Sequence, residues 1–168
     1  KQKITITDPN MTRFNITMDE ALNLVLRAIK NGSGGEIFVP KLKAYKLEDI
    51  KNALLELLNA SNKTETISVR PGEKYHESLI NKHEIRNTFD NKEDYVIIDK
   101  DNPLLYHEDS PKLVKSNFED EYSSDKVPLL TKEEIKKILI NEKLLNLWNL
   151  IDLKIIFSRE NTIFWATR

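Results

Sequence analysis

Residues 17–39 read TMDEALNLVLRAIKNGSGGEIFV, a stretch that contains a helix, a glycine-rich loop and a strand. Thr17 and Glu20 have the spacing of a capping box, in which each side chain accepts a backbone N–H at the start of the helix. An apolar stripe at helical spacing follows, formed by Ala21, Leu22, Leu24, Val25, Ala28 and Ile29. Residues 31–35 end the helix because asparagine and glycine tolerate positive φ. Residues 36–39 predict a buried strand that closes at Pro40.

The same alternation of strands and helices extends in both directions. Further strands are predicted at 4–6, 66–69 and 95–98. Further helices are predicted at 47–59, 76–80 and 82–87. Thr131 and Glu134 form a second capping box, which predicts the start of a C-terminal helix. Short strands that alternate with helices at these intervals indicate an α/β fold.

Pattern and composition divide the chain into residues 1–98, 99–128, 129–150 and 151–168. The first region is the α/β part, and the third contains the C-terminal helix. Residues 99–128 combine several prolines with many charged residues, which predicts an extended arm with little core of its own. The last region is a separate tail whose origin the pattern does not indicate. A hairpin is predicted within it, between residues 155–157 and 163–165.

The composition argues against several classes of protein. Lys and Arg total 26 and Asp and Glu total 27, whereas a nucleic-acid-binding protein normally has a basic excess on one face. The chain has no cysteine, which excludes disulfides and thiolate metal sites. His76, His83 and His107 lack the spacing of a helical metal pair, so no metal site is predicted. Neither a signal peptide nor a membrane span is expected, and the expected location is cytoplasmic.

Two arginines are candidates for binding an anion. Arg13 lies between a turn and the capped helix, and Arg70 follows the strand predicted at 66–69. Ligands commonly bind at strand ends in α/β sheets, and a guanidinium can make a bidentate contact to a phosphate. A turn at Pro71 and Gly72 would hold Arg70 in one orientation. The alternative is that both arginines form surface ion pairs, for example Arg70 with Glu73.

No cofactor fingerprint accompanies these arginines. A dinucleotide site needs a glycine-rich turn between a strand and the following helix, so that the backbone can approach the pyrophosphate. Residues 31–35 follow a helix and precede a strand, which is the reverse order. They are therefore interpreted as the end of a helix, and no cofactor-binding residue is predicted.

Three motifs in succession resemble those of one enzyme group. They are Met11-Thr12-Arg13-Phe14 with Thr17, then Gly35-Glu36-Ile37-Phe38-Val39-Pro40, then Arg70-Pro71-Gly72-Glu73-Lys74 with His76-Glu77. A later segment, Phe118-Glu119 with Tyr122-Ser123-Ser124, resembles the C-terminal arm of the same enzymes. The group is the inverting UDP-N-acetylglucosamine 4,6-dehydratases and their polysaccharide-biosynthesis relatives, within the extended short-chain dehydrogenase/reductases. The resemblance covers about residues 4–139.

The resemblance implies that the chain is the C-terminal substrate-binding portion of such an enzyme, with the Rossmann domain that holds NAD(P) missing. Arg13 and Arg70 would contact the diphosphate of a UDP-sugar, and Glu73 would lie near the nucleotide. In the family's reaction, hydride leaves C4 of the sugar, water is eliminated across C5 and C6, and the hydride returns to C6. A tyrosine and a lysine of a Tyr-x-x-x-Lys motif run these steps in the family. No such motif is identified in this sequence, so no catalytic residue is assigned. The chain by itself is expected to be inactive and to bind no cofactor.

Other functions stay open at this point. A nucleotide-sugar 4-epimerase, or a retaining membrane-tethered dehydratase of the same superfamily, would bind the same diphosphate. A third hypothesis is a non-catalytic protein-interaction module. An arm with little core must pack on another surface, which predicts a homo-oligomer formed through residues 99–128.

Overall fold

The computed structural model describes residues 3–98 and 113–145. Its strands are β1 (Ile4–Ile6), β2 (Thr12–Phe14), β3 (Ile37–Pro40), β4 (Ala44–Lys46), β5 (Thr64–Thr66), β6 (Ser78–Ile80), β7 (Thr88–Asp90), β8 (Asp94–Ile97), β9 (Val114–Lys115) and β10 (Tyr122–Ser123). Its helices are α1 (Met18–Asn31), α2 (Leu47–Leu57) and α3 (Lys132–Asn141), with a 3₁₀ turn at Ile85–Asn87. This order of short strands and helices confirms the α/β class.

The chain folds into two compact units, each assembled from segments that are distant in sequence. The first unit comprises Lys1–Met11, Tyr45–Tyr75 and Leu130–Arg168. The second unit comprises Thr12–Ala44 and His76–Leu129. Each of the four regions proposed from the sequence is one continuous stretch of chain, whereas each unit combines stretches that are distant in sequence.

In the first unit, α2 and α3 pack against each other around an apolar core. Its buried residues are Ala53, Leu54, Leu130, Ile135 and Leu139. Burial of each large apolar side chain contributes about 1.5–3 kcal/mol, so this contact is the main stabilisation of the helix pair. Glu56 of α2 also forms ion pairs with Lys132 and Lys136 of α3. A separate parallel pair joins β1 to β5, with Ile4 opposite Thr64.

The second unit is built on an antiparallel sheet with the strand order β3-β8-β7-β9. A second antiparallel pair joins β6 to β10. The core contains Val39, Ile80, Ile97 and Tyr122, with Phe14, Tyr95 and Phe118 packed against it. The Tyr122 hydroxyl accepts the Leu42 N–H at 2.7 Å and donates to the Leu42 carbonyl at 3.2 Å. The sheet and the aromatic residues thus share one core.

Both predicted capping boxes are present. The hydroxyls of Thr17 and Thr131 accept the N–H groups of Glu20 and Glu134, whose carboxylates accept the threonine N–H groups in return. The end of α1 differs from the prediction. Its C-cap Gly32 has a φ of -82°, and the positive φ values occur later, at Gly34 (115°) and Gly35 (92°). The loop is therefore needed for the turn into β3 rather than for the cap itself.

The apolar stripe of α1 does not form a buried face, because Leu22, Val25 and Ile29 are exposed. Arg27 donates from Nε and Nη2 to the two carboxylate oxygens of Asp94 in β8, both at 2.7 Å, and Asp94 is fully buried. This bidentate contact directs one side of α1 toward the sheet. The other side is exposed, with relative exposures between 54% and 73% for Met18, Leu22, Val25, Leu26 and Ile29. Helical spacing shows which residues share a face, but not which face meets the core.

Several strand and helix predictions need correction. The strand predicted at 66–69 lies at Thr64–Thr66 instead, and all three of its residues are exposed. The helix predicted at 76–80 is wrong, because Ser78–Ile80 is a strand paired with β10. The helix predicted at 82–87 is reduced to the 3₁₀ turn. By contrast, β1 and β8 lie within one residue of their predicted positions.

The predicted arm has more core than expected where the structure describes it. Phe118 packs on the core of the second unit, and Tyr122, Ser123 and Ser124 are buried. Residues 99–112 of the arm, and the hairpin predicted in the tail, lie outside the described residues. Within 3–98 and 113–145, no helix is long and apolar enough to cross a membrane.

Candidate functional site

Arg13 is held by two different segments of the second unit. It lies in β2, and 15% of its side chain is exposed. Its Nη1 donates to the Thr12 carbonyl at 2.8 Å. Its Nε lies 3.6 Å from Oε1 of Glu77, which belongs to the segment just before β6. The guanidinium thus has one contact within its own strand and one to the segment before β6.

A network of buried polar groups surrounds the backbone that carries Arg13. The Thr12 hydroxyl lies 2.8 Å from Nδ1 of His76 and 2.6 Å from Oγ of Ser124. Ser124 Oγ accepts the N–H of Glu77 at 2.9 Å, and the Ser124 N–H donates to the Glu77 carbonyl at 2.8 Å. Thr12 and Ser124 are both buried. The structure thus joins the motifs at residues 11–14, 76–77 and 122–124.

Arg70 and Glu73 form a local turn in the first unit. Arg70 is exposed and lies four positions after the end of β5, rather than directly at a strand end. The Glu73 carboxylate accepts the Arg70 N–H at 3.2 Å, and the Glu73 N–H donates to the Arg70 carbonyl at 3.0 Å. Gly72 has a φ of 83°, which a glycine adopts without strain. The expected turn at Pro71 and Gly72 is present, and it orients the Arg70 backbone.

The structure brings Arg70 and Glu73 together, whereas Arg13 belongs to the other unit. Glu73 also accepts a hydrogen bond from the Thr7 hydroxyl at 3.4 Å, which links the turn to the chain after β1. Nearby, the Tyr75 hydroxyl donates to Asp8 at 2.8 Å. The pKa of Asp8 is lowered by the Asn10 N–H and by Tyr75, so Asp8 adds negative charge to this part of the first unit. The roles of Arg13, Arg70 and Glu73 in substrate binding stay predictions.

The glycine-rich loop does not fit a dinucleotide. The N–H groups of Ser33 and Gly34 donate to the Glu36 carboxylate at 2.7 and 2.8 Å. Burial raises the pKa of Glu36, but the bonds from the Ser33 amide and neighbouring amides outweigh it, so the net pKa is lowered. These backbone N–H groups, which a pyrophosphate would need as hydrogen-bond donors, are therefore already bonded to the Glu36 carboxylate. No group of three or more potential metal ligands occurs in the part of the chain that the structure describes.

One tyrosine and one lysine, Tyr122 and Lys126, have the Tyr-x-x-x-Lys spacing of the catalytic pair in short-chain dehydrogenases. The sequence analysis found no Tyr-x-x-x-Lys motif, and that statement is wrong. Tyr122 lies in a strand, and its hydroxyl is bonded to both backbone groups of Leu42. Burial raises the pKa of Tyr122, and Lys126 is paired with Asp120. This tyrosine therefore has a structural role in the core.

The sequence analysis named Thr12, Glu77 and Ser124 only as parts of motifs, and it considered His76 otherwise only as a metal ligand. Their contacts span up to 112 positions along the chain, and no local pattern encodes such a distance. The sequence signal that could have indicated these residues is that they occur in, or in order with, the motifs that contain Arg13 and Arg70.

Comparisons with known proteins agree on one group. A family model described as polysaccharide biosynthesis protein matches residues 1–99. The chain is 34% identical over 143 residues to a UDP-glucose 4-epimerase of Rickettsia rickettsii (strain Sheila Smith), and this match covers 83% of the chain and 41% of that protein. It is 35% identical over 142 residues to the protein of the same name from Rickettsia bellii (strain OSU 85-389), covering 82% and 41%.

A solved structure, the X-ray structure of Pen from Bacillus thuringiensis, is similar in fold. It superposes with a TM-score of 0.71 at 30% sequence identity, over 84% of this chain and 41% of Pen. The chain therefore spans less than half the length of the curated relatives and of the solved structure that it matches.

Proposed function

The chain belongs to the polysaccharide biosynthesis family of extended short-chain dehydrogenase/reductases, and on that basis we propose that it is the substrate-binding portion of an enzyme that modifies a nucleotide sugar. The main support from the geometry is Arg13, whose guanidinium is held by the Thr12 carbonyl and the Glu77 carboxylate. An arginine oriented before binding loses less side-chain entropy when it contacts a diphosphate. For Arg70 and Glu73, the proposed role in substrate binding rests on the resemblance of their motif.

The proposed reaction begins with oxidation at C4 of the sugar. The proton on C4 of a sugar alcohol is not acidic, so inversion there proceeds through a ketone that is reduced from either face. A ketone at C4 also acidifies the proton on C5, which permits the loss of water across C5 and C6. NAD(P) of the parent enzyme would supply the oxidising power. The described residues of this chain would bind the diphosphate and would not supply the oxidant.

Two products follow from such a ketone. The names of the curated relatives favour a 4-epimerase, which returns the hydride to C4. The three motifs at residues 11–17, 35–40 and 70–77 resemble those of the 4,6-dehydratases and their relatives, and a dehydratase is the second candidate. NMR of the product that the parent enzyme forms from UDP-N-acetylglucosamine separates them: a hydroxymethyl group retained at C6 indicates an epimerase, and a methyl group indicates a dehydratase. The configuration at C5 then separates inverting from retaining dehydratases.

Isothermal titration of the purified chain tests the diphosphate site. We expect UDP to bind more tightly than uridine, which has the same base and ribose but no diphosphate. Arg13→Ala should weaken UDP binding by roughly 10- to 100-fold, the usual range for the loss of a hydrogen bond to a charged group. The same substitution should leave uridine binding almost unchanged, since uridine lacks the diphosphate that the guanidinium is proposed to contact.

Arg86→Ala is the matched control for Arg70→Ala, because Arg86 is also an exposed arginine. Arg70→Ala should weaken UDP binding, whereas Arg86→Ala should not. Equal affinity for UDP and uridine, with no effect of Arg13→Ala or Arg70→Ala, would contradict the proposed function. That result would favour the non-catalytic interaction module.

A further inference from the structure

Ser124 connects the two segments that hold Arg13. Its side chain is fully buried, directly after β10. Its hydroxyl lies 2.6 Å from the Thr12 hydroxyl and 3.2 Å from the Thr12 carbonyl, and it accepts the N–H of Glu77 at 2.9 Å. One hydroxyl group therefore bonds to the strand that carries Arg13 and to the segment that carries Glu77.

The same two residues make the contacts that orient the guanidinium. The Thr12 carbonyl accepts from Nη1 of Arg13, and the Glu77 carboxylate lies beside Nε. A shift of either segment would change the plane of the guanidinium. Ser124 bonds to both of these residues, so its effect on a ligand would be transmitted to Arg13 through Thr12 and Glu77.

We propose that Ser124 is a positioning residue for Arg13 and that its hydroxyl sets the orientation in which the guanidinium meets the substrate diphosphate. The proposal rests on the proposed function, because it assumes that Arg13 binds this diphosphate. Removal of the hydroxyl would leave the Glu77 N–H and the Thr12 hydroxyl each without one partner. Since the site is fully buried, water could not replace that partner without a shift of the backbone.

A double-mutant cycle separates this role from a merely structural one. UDP affinity is measured by isothermal titration for the wild type, Ser124→Ala, Arg13→Ala and the double variant. If Ser124 acts through Arg13, Ser124→Ala weakens UDP binding by about tenfold in the wild type and by less than about twofold in the Arg13→Ala background. A structural role predicts the same loss in both backgrounds.

Ser123→Ala is the matched control. Ser123 is a neighbouring buried serine, but its hydroxyl donates to Asp125 at 2.6 Å and is not bonded to Thr12 or Glu77 in the contacts described. We expect this variant to retain wild-type UDP affinity within about twofold. Circular dichroism confirms that each variant is folded before titration. If Ser124→Ala is not folded, Thr12→Val takes its place in the cycle, because valine has the shape of threonine without the hydroxyl.

The outcomes distinguish the two claims. If Arg13→Ala does not affect UDP binding, the proposed function fails at this site. If Arg13→Ala weakens binding but Ser124→Ala does not, or if the Ser124→Ala effect persists without Arg13, the positioning role is wrong. Failure of both Ser124→Ala and Thr12→Val to fold also counts against it, since the network would then set the stability of the unit.

Discussion

Arg27 and Asp94 form a deeply buried ion pair in the second unit. Asp94 is fully buried and Arg27 is about one quarter exposed. The hydrogen bonds that Arg27 donates to Asp94 raise the pKa of Arg27, and they outweigh burial, which lowers it. The side-chain oxygen of Asn91 accepts the N–H of Asp94 at 2.7 Å, which helps to hold the Asp94 backbone in place. This charged pair thus links α1 to the sheet of the second unit.

Replacing Arg27 should destabilise the protein strongly. Arg27→Met leaves the buried Asp94 carboxylate without its cation, and we expect the free energy of unfolding to fall by about 3 kcal/mol. Urea denaturation followed by circular dichroism measures the change. Arg86→Met is the control: the same substitution at an exposed position should change the free energy by less than about 0.5 kcal/mol. Equal effects of the two substitutions would contradict the burial of the pair.

Among the elements, α1 and α2 have similar apolar stripes but different environments. Leu54 of α2 is 6% exposed within the core of the first unit, whereas Leu26 of α1 is 62% exposed. Leu54→Ala should therefore reduce the free energy of unfolding by about 3 kcal/mol, since it opens a cavity. Leu26→Ala should change it by less than about 0.5 kcal/mol. Chemical denaturation of both variants provides the comparison, and a large loss for Leu26→Ala would show that this face of α1 is covered in solution.

The contact between α2 and α3 should depend on pH through Glu56. Hydrogen bonds from Lys132 and then Lys136 lower the pKa of Glu56 in the folded protein. A carboxyl group with a lowered folded pKa stabilises the fold above its unfolded pKa, and this contribution is lost as the pH falls through the folded pKa. The wild type should therefore unfold at higher urea than Glu56→Gln at neutral pH, and this difference should shrink below about pH 4. A difference that persists in strong acid would rule out this ion pair as its source.

For the molecule as a whole, we expect no NAD(P)-dependent turnover by this chain alone. The amides of its glycine-rich loop bind Glu36, and Tyr122 is bonded within the core. The test incubates the purified chain with UDP-N-acetylglucosamine and NAD or NADP and follows cofactor reduction by fluorescence and sugar products by NMR. Formation of an epimer or of a 4-keto-6-deoxy sugar by the chain alone would contradict this expectation.

Self-association through residues 99–128 also stays a prediction. The described part of this segment places Phe118 and Tyr122 in the chain's own core, so any contact with a second copy would have to use other residues of the arm. Light scattering coupled to size-exclusion chromatography should show an oligomer, and deletion of residues 100–111 should convert it to a monomer. A monomeric wild-type chain would contradict the prediction.

The sequence by itself determined the features whose signals lie within one or two turns of the chain. The capping boxes at Thr17 and Thr131 fixed the starts of α1 and α3, because a cap involves residues only three positions apart. Short apolar runs located β1 and β8 in the same way. The ordered motifs containing Arg13 and Arg70 indicated the enzyme superfamily, which the family model and the relatives support.

The tertiary structure alone decided which of these elements meet. Ser78–Ile80 is a strand because β10 pairs with it, and the face of α1 that turns inward is the one with Arg27, because Asp94 lies buried opposite it. The hydroxyls of Thr12 and Ser124 come within 2.6 Å across 112 positions of sequence. Such contacts depend on how distant segments pack, and a local pattern contains no information about the partner. For the same reason, the sequence could name Arg13 as a candidate, but it could not name the Glu77 carboxylate that lies beside the guanidinium.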